Sequence, residues 1–184
     1  MTANFKYSLR FTLDPESWDA KKEAKLLDFC KKGRIDDVAF FINPEELNQS
    51  HLDEKQNRVW LKTIQSVSLS LKKLGITTSL NPWTTLMHSD RGRKINPKLG
   101  FSTMVDYQGK KAESIACPGD PIWQNYIADC YRQFASIQPN TLWVEDDFRH
   151  YNHTPLKLGC FCDRHMQIYN QKLGKNLSRQ EFIK

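Results

Sequence analysis

The distribution of apolar residues predicts an alternation of strands and helices along the chain. Apolar side chains occupy every second position of residues 5–13 (FKYSLRFTL), and this period of two predicts a first strand with one buried face. Three short apolar runs predict further strands, namely VAFFI (38–42), ITTSLNPW (76–83) and TLWVE (141–145). Apolar residues at helical spacing predict helices between and after these strands, over residues 17–33, 50–74, 120–134 and 163–173.

Local signals mark the ends of the predicted helices. Ser50 is the predicted N-cap of the second helix, which ends just before Gly75. An Asp-Pro pair at 120–121 opens the third helix, because proline is favoured at the first helical position. Residues 84–119 are predicted to be irregular, with a turn at DYQGKK (106–111).

This alternation predicts an α/β fold of parallel strands joined by right-handed crossovers. The candidate architectures are the first half of a TIM (β/α)8 barrel and a small open doubly wound sheet. A complete barrel has eight units and about 250 residues, whereas this chain has 184 residues and four units, and its last eight residues (LSRQEFIK) contain a capping box, Ser178 with Glu181. We therefore expect residues 1–184 to form one partial (β/α) barrel domain of catalytic type. It would contain strands one to four, and the chain would be truncated.

Composition and charge narrow the class of protein. A hydrophobic fraction of 39% with 11% aromatic residues favours a folded domain over disorder. The net charge of +6 comes from lysines scattered over the polar faces of the predicted helices, which argues against a nucleic-acid partner. No apolar run approaches the ~20 residues of a membrane span, and residues 1–15 lack a signal-peptide core, so the expected location is the cytoplasm. Five cysteines, an odd number, favour thiols or metal ligands over a disulfide framework.

Polar residues follow the predicted strands where functional groups of parallel α/β folds converge. Strand three ends at Asn81 and Trp83, and the indole of Trp83 could stack on a sugar ring or pack against its own loop. Strand four ends in a cluster of three acids and one arginine: Glu145, Asp146, Asp147 and Arg149. Two carboxylates in one cleft raise the pKa of one of them, as a general acid requires. Carboxylates that cap backbone amides or pair with arginine are an equally good interpretation.

A second group of residues has metal-ligand spacing. The segment GCFCDRHMQ (159–167) places Cys160, Cys162 and His165 within six positions, enough for three ligands of a tetrahedral zinc. The other cysteines are Cys30 and Cys130, which lie on apolar helical stripes, and Cys117, which lies in a loop before the third helix. The loop position makes Cys117 the best candidate for the fourth ligand.

Several motifs, taken together and in this order, resemble glycoside hydrolase family 42, the β-galactosidase-like barrels. They are DPESW (14–18), the Cys-Pro-x-x-Pro stretch at 117–121, a strand-four Trp followed by Asp-Asp-Phe (143–148), and the cysteine segment at 160–165. The resemblance covers most of the 184 residues, which correspond to about half of a catalytic domain of that family.

The resemblance implies a structural zinc held by Cys117, Cys160, Cys162 and His165, with the histidine in place of the family's last cysteine. It places the family's Asn-Glu pair on Asp146-Asp147, which makes Asp147 the implied acid/base and Asp146, Trp83 and Arg149 parts of a sugar subsite. Asp in place of Glu, and Asp in place of the Asn that contacts the sugar 2-hydroxyl, depart from the pattern. The second carboxylate of the mechanism would come from a later strand.

The sequence therefore predicts a glycoside hydrolase-like protein that acts on a carbohydrate through acid/base-assisted cleavage in its full-length form. The alternatives are a zinc-stapled α/β binding or structural module without catalysis, and a complete small open-sheet enzyme that uses the same carboxylates. The sequence leaves both a monomer and a homo-oligomer open.

Overall fold

A parallel sheet with helices forms the main body of the protein. The structure is a computed structural model, and it describes residues 5–44, 46–47, 50–83, 85, 94–144 and 156–184. The strands of the parallel sheet, in spatial order, are β1 (Ser8–Thr12), β2 (Asp37–Ile42) and β3 (Thr77–Pro82). The helices are α1 (Ala20–Gly33), α2 (Glu54–Lys73), α3 (Pro121–Ser136), α4 (Asp163–Leu173) and the short α5 (Arg179–Phe182). The α/β class and the parallel direction of the strands are thus as predicted.

The predicted fourth strand is present only as a short extension of this sheet. Leu142 forms a parallel bridge with Leu80 of β3. The N–H of Leu80 donates to the carbonyl of Thr141 at 2.9 Å, and the N–H of Trp143 donates to the carbonyl of Leu80 at 2.9 Å. Residues 141–143 therefore lie beside β3 and parallel to it, although the pairing is too short to count as a regular strand.

One face of the sheet is apolar and packs against three helices. The buried side chains of this sheet–helix core are Leu13, Leu26, Cys30, Val38, Phe40, Ile42, Leu52, Trp60, Leu61, Ile64, Val67, Leu71, Ile76, Leu80, Cys130 and Phe134. They include residues of α1, α2 and α3, so these three helices share one core on the same side of the sheet. Each large apolar side chain buried in this way contributes about 1.5–3 kcal/mol.

The opposite face of the sheet is polar and is organised around one carboxylate. Asp37 lies in register between Ser8 of β1 and Thr77 of β3. Its carboxylate accepts hydrogen bonds from the hydroxyls of Ser8 at 2.9 Å, Thr77 at 2.7 Å and Ser79 at 2.9 Å. Since all three strands contribute to this network, it holds their register on the side that the helices do not cover.

The region between β3 and α3 contains a hairpin that the sequence did not predict. Strands β4 (Thr103–Val105) and β5 (Lys111–Ala116) pair in antiparallel fashion, and the predicted DYQGKK turn connects them. The prediction of an irregular segment is therefore wrong over these two strands. Strand β4 has only three residues and its pairing with β5 contains an irregularity. The alternation of apolar and polar residues was therefore too short to predict a strand here.

The start of α2 also differs from the prediction. Its N-cap is Asp53, whose carboxylate accepts from the N–H of Gln56 at 2.8 Å, while the Gln56 side chain accepts from the N–H of Asp53 at 2.9 Å. Ser50 is instead buried in the preceding turn, where its carbonyl accepts from the Asn43 amide at 2.6 Å. Asp53 has the extended backbone that a cap needs, whereas Ser50 has a φ of 65°. The capping box at Ser178 and Glu181 opens α5 as predicted.

None of the described helices combines the length and the apolar character that crossing a bilayer demands.

We expect Asp53→Ala to lower the free energy of unfolding by about 1 kcal/mol, because the N–H of Gln56 loses its acceptor. Asp53→Asn should cost much less, since the amide oxygen can still accept that hydrogen bond. Chemical denaturation of the two variants checks this expectation, and equal losses would contradict the assignment of Asp53 as the cap.

Candidate functional site

Four side chains with metal-ligand chemistry converge beside the hairpin. The ligand atoms of Cys117, Cys160, Cys162 and His165 all lie within 4.8 Å of one another. The Sγ atom of Cys117 lies 3.8 Å from that of Cys160 and 3.7 Å from that of Cys162. Around a tetrahedral zinc with Zn–S bonds of about 2.3 Å, neighbouring sulfur atoms are about 3.8 Å apart. The sulfur positions therefore have the spacing of a tetrahedral site.

The imidazole completes the same group. The Nδ1 atom of His165 lies 3.2 Å from Sγ of Cys162 and 3.5 Å from Sγ of Cys117. Three thiols and one imidazole are soft and borderline donors of the kind that zinc prefers, and four protein ligands leave no coordination position for water or substrate. The cluster could thus hold a metal ion, and its donor set is compatible with a structural zinc.

Hydrogen bonds to the hairpin bring the two halves of this cluster together. Cys117 directly follows β5, whereas Cys160 and Cys162 precede α4 and His165 lies in its first turn. The N–H of Phe161 donates to the carbonyl of Val105 at 2.7 Å, and Gly159 forms an antiparallel bridge with Asp106. The cysteine segment therefore lies along β4 as an additional extended stretch. The β4–β5 hairpin, which the sequence did not predict, therefore positions the cysteines whose metal-binding chemistry the sequence did indicate.

Hydrogen bonds also set the protonation of the thiols. The pKa of Cys160 is lowered to about 5, chiefly by the hydrogen bond from the Cys117 thiol and also by the backbone N–H groups of Val105 and Cys162. That hydrogen bond and burial raise the pKa of Cys117, and burial raises the pKa of Cys162. Cysteine binds a metal ion as the thiolate, so metal binding at this cluster releases the protons that the thiols carry.

Close packing around His165 depends on a glycine. A Cβ atom on Gly119 would lie 2.9 Å from Cε1 of the His165 ring, closer than real contacts of this kind allow. On the other side, the hydroxyl of Tyr169 donates to the carbonyl of Cys160 at 3.1 Å, and its ring lies 5.9 Å from that of His165. The imidazole is thus held between the loop after β5 and the second turn of α4.

The remaining cysteines lie away from the cluster, as the sequence indicated. Cys30 and Cys130 are buried in the sheet–helix core, and Sγ of Cys130 accepts from the Asn57 amide at 3.2 Å. All five cysteines are free thiols. The assignment of Cys117 as the fourth member of the cluster therefore agrees with the geometry.

The predicted strand-end residues are described only in part. Glu145, Asp146, Asp147 and Arg149 lie outside the described residues, so their roles stay predictions. Asn81 is 3% exposed at the carboxyl end of β3, on the polar face, and its Nδ2 has no hydrogen-bond acceptor among the described residues. The side chain of Trp83 is partly buried, and its backbone N–H donates to the carbonyl of Ile42 at 3.1 Å.

The fold and the cluster define an α/β protein with a parallel sheet, helices on one face and a Cys3His group suited to a metal ion. No protein-family model and no curated protein sequence matches the chain. Among solved structures, the chain is similar to a β-galactosidase from Bacillus circulans sp. alkalophilus, with a TM-score of 0.56 and 19% sequence identity. The match covers 91% of this chain and 24% of that one, so the chain spans about a quarter of its structural neighbour. At this identity the similarity shows a shared α/β fold alone.

We expect the protein to bind one zinc ion per chain, and Cys117→Ser to lose it. Loss of a residue that only supports a metal ligand weakens metal binding by about 10–100-fold. Cys117 is itself one of the proposed ligands, so its loss should weaken zinc binding by more than that. Cys130→Ser is the matched control, since it changes a buried cysteine outside the cluster. Metal analysis and thermal unfolding with and without chelator check both; a Cys117→Ser protein with unchanged zinc content and stability would contradict the site.

Gly119→Ala tests the packing of the imidazole. The added methyl group should displace His165 and weaken zinc binding by about 10–100-fold, whereas Gly33→Ala, where the nearest atoms are 3.6 Å away, should leave it unchanged. Competition with a chromophoric chelator measures both affinities. Equal zinc affinity in Gly119→Ala and the parent protein would mean that His165 is not a ligand.

Proposed function

We propose that the chain forms the first four strand–helix units of a (β/α) barrel in a glycoside hydrolase-like protein. In the full-length protein, acid/base catalysis cleaves a glycosidic bond of a carbohydrate substrate. Asp147 protonates the leaving oxygen, and Asp146, Glu145, Arg149, Asn81 and Trp83 line the sugar subsite. A reducing, cytoplasmic location agrees with the five free thiols.

The observation that carries the barrel proposal is the order of the strands. An open doubly wound sheet reverses its strand order at a switch point and carries helices on both faces. Here β1, β2 and β3 lie in sequence order, and residues 141–143 join beyond β3. The three long helices α1, α2 and α3 share one core on one face. Both the sequential strand order and the helices on one face favour a barrel, in which each new strand–helix unit is added beside the previous one until the sheet closes.

The second support is the chemistry at the carboxyl end of the sheet. Residues 141–143 run parallel to β3, and Trp143 pairs with Leu80, the neighbour of Asn81 at the carboxyl end of that strand. Asn81 is a buried amide whose Nδ2 lacks an acceptor among the described residues. Such a group costs free energy unless something accepts its hydrogen bond, and a sugar hydroxyl would do so. A glycosidase-like fold in the structural neighbour is consistent with this assignment.

The metal cluster has a supporting role in this proposal. Described residues flank the acidic segment on both sides, since Leu142 pairs with Leu80 before it and Cys160 belongs to the cluster after it. With four protein ligands, a bound zinc supplies no catalytic water. It fixes the conformation of the loop that carries the acids, and the reaction itself falls to the carboxyl groups.

Glycoside hydrolysis needs two carboxyl groups that flank the scissile bond. We assign the acid/base role to Asp147 and propose that a later strand of a longer protein supplies the second carboxylate. Their separation would decide between retention and inversion, since about 5–5.5 Å suits a nucleophile and about 6.5–9.5 Å leaves room for water.

The decisive experiment is Asp147→Asn in a longer form of the protein that carries the later strands. Hydrolysis of aryl glycosides should fall by about 10²–10⁴-fold, the usual contribution of a general acid. Asp28→Asn, on the exposed face of α1, is the matched control and should retain full activity. An unchanged rate in Asp147→Asn would show that the acid/base assignment is wrong. A zinc-bound protein inactive on every aryl glycoside would favour the alternative of a non-catalytic α/β module.

A further inference from the structure

A cavity of about 510 Å³ lies beside the metal cluster, between the hairpin and the C-terminal helices. Its wall includes Cys117 and Cys162, but also residues that have no part in metal binding. Its volume lies in the range of about 300–1,000 Å³ that is usual for small-molecule sites. Among the described residues, neither Asn81 nor Trp83 lines it.

Three cationic side chains line this cavity. They are Lys111 at the start of β5, Arg164 in the first turn of α4, and Arg179 in α5. Among the described residues, neither Lys111 nor Arg164 forms an ion pair. Arg179 donates from Nε to the carbonyl of Phe161 at 2.9 Å and lies 3.6 Å from the Asp163 carboxylate. Two cations are therefore available to a ligand, and the third is held rigidly against the wall.

Two acidic side chains, Asp120 and Asp163, also line the cavity, so its three cations and two carboxylates leave one net positive charge. Both carboxylate oxygens of Asp120 are occupied by backbone donors, from Ser102 and from Ile122 at 3.1 Å. The side chain of Asp163 is fully exposed and contacts only Arg179 among the described residues. Within the described residues, Lys111 and Arg164 are therefore the cations of the wall that no carboxylate pairs with.

Backbone donors add to this preference. The N-cap residue of α4 is Cys162, itself a member of the metal cluster. The first N–H groups of α4, at Asp163 and Arg164, belong to residues that line the cavity. The N-terminal end of an 11-residue helix favours anions through its free N–H groups and its dipole.

The cations could instead compensate the charge of the metal cluster, since three thiolates and an imidazole around Zn²⁺ carry one net negative charge. The hydrogen bonds argue against that role. The donors that reach the sulfur atoms of Cys160 and Cys162 include backbone N–H groups. Within the described residues, no hydrogen bond runs from Lys111, Arg164 or Arg179 to any of the thiols.

We propose that this cavity is a binding site for a phosphate-type dianion, with Lys111, Arg164 and the first N–H groups of α4 as its donors. The ligand is free phosphate or the phosphate group of a small ester. The site does not depend on the proposed glycosidase function, because it uses none of the residues assigned to that reaction.

The test is isothermal titration of the zinc-loaded chain with inorganic phosphate at constant ionic strength. The parent protein should bind phosphate, and Lys111→Gln and Arg164→Gln should each bind it about tenfold more weakly. Lys110→Gln is the matched control, because it removes the neighbouring exposed lysine, which does not line the cavity; its affinity should change less than twofold. Zinc content and thermal unfolding show that each variant is folded.

Two further titrations, with a hexose 6-phosphate and with the unphosphorylated hexose, show whether the ligand is free phosphate or a phosphate ester. A hexose 6-phosphate that binds more tightly than inorganic phosphate supports an ester ligand, and equal affinities support free phosphate. The unphosphorylated hexose should not bind. Failure of the parent protein to bind phosphate, equal losses in Lys110→Gln and Lys111→Gln, or equal binding of the hexose and its phosphate would overturn the proposal. Loss of glycosidase activity in Asp147→Asn would leave this result unaffected.

Discussion

Burial of a single sheet face under three helices is the constraint on which the rest of the structure depends. Val38, Phe40 and Leu80 point from adjacent strands into one core that also receives the inner sides of α1, α2 and α3. Because each connecting helix returns to the same side, every new strand is added next to the previous one and in the same direction. The carboxyl ends of the strands are thereby gathered at one edge of the sheet.

The polar face complements this arrangement. Asp37 accepts hydrogen bonds from hydroxyls on both neighbouring strands, and Asn81 lies further along the same face. The guanidinium group of Arg10 lies over the Phe41 ring at 3.7 Å. In a closed barrel this face would line the interior, where polar groups must find partners among side chains or ligands. Within the described part of the chain, Asn81 Nδ2 still lacks such a partner.

The metal cluster is a second, local constraint in a part of the chain with little apolar material. The buried residues around it are few, namely Met104, Ala112, Ile115, Cys117, Leu156 and Cys160. A small cluster of this kind buries little apolar area against the conformational entropy of an ordered segment. A metal ion that joins Cys117 to the Cys160 segment would couple binding to folding here.

The sequence by itself determined the elements whose signal is local. The apolar run at 38–42 specifies a buried strand, and the stripe through Trp60 and Ile64 specifies a long helix. The spacing of Cys160, Cys162 and His165 indicates a group that could hold a metal ion. The tertiary structure decided what depends on distant partners. The β4–β5 hairpin is stabilised by pairing with the cysteine segment, and the cap of α2 moved to Asp53 because Ser50 is buried against Asn43. The tertiary structure also brought Sγ of Cys117 to 3.8 Å from Sγ of Cys160, which follows it by 43 residues. No local pattern encodes this proximity, because it depends on the pairing of Gly159 with Asp106 beside the hairpin whose second strand Cys117 follows.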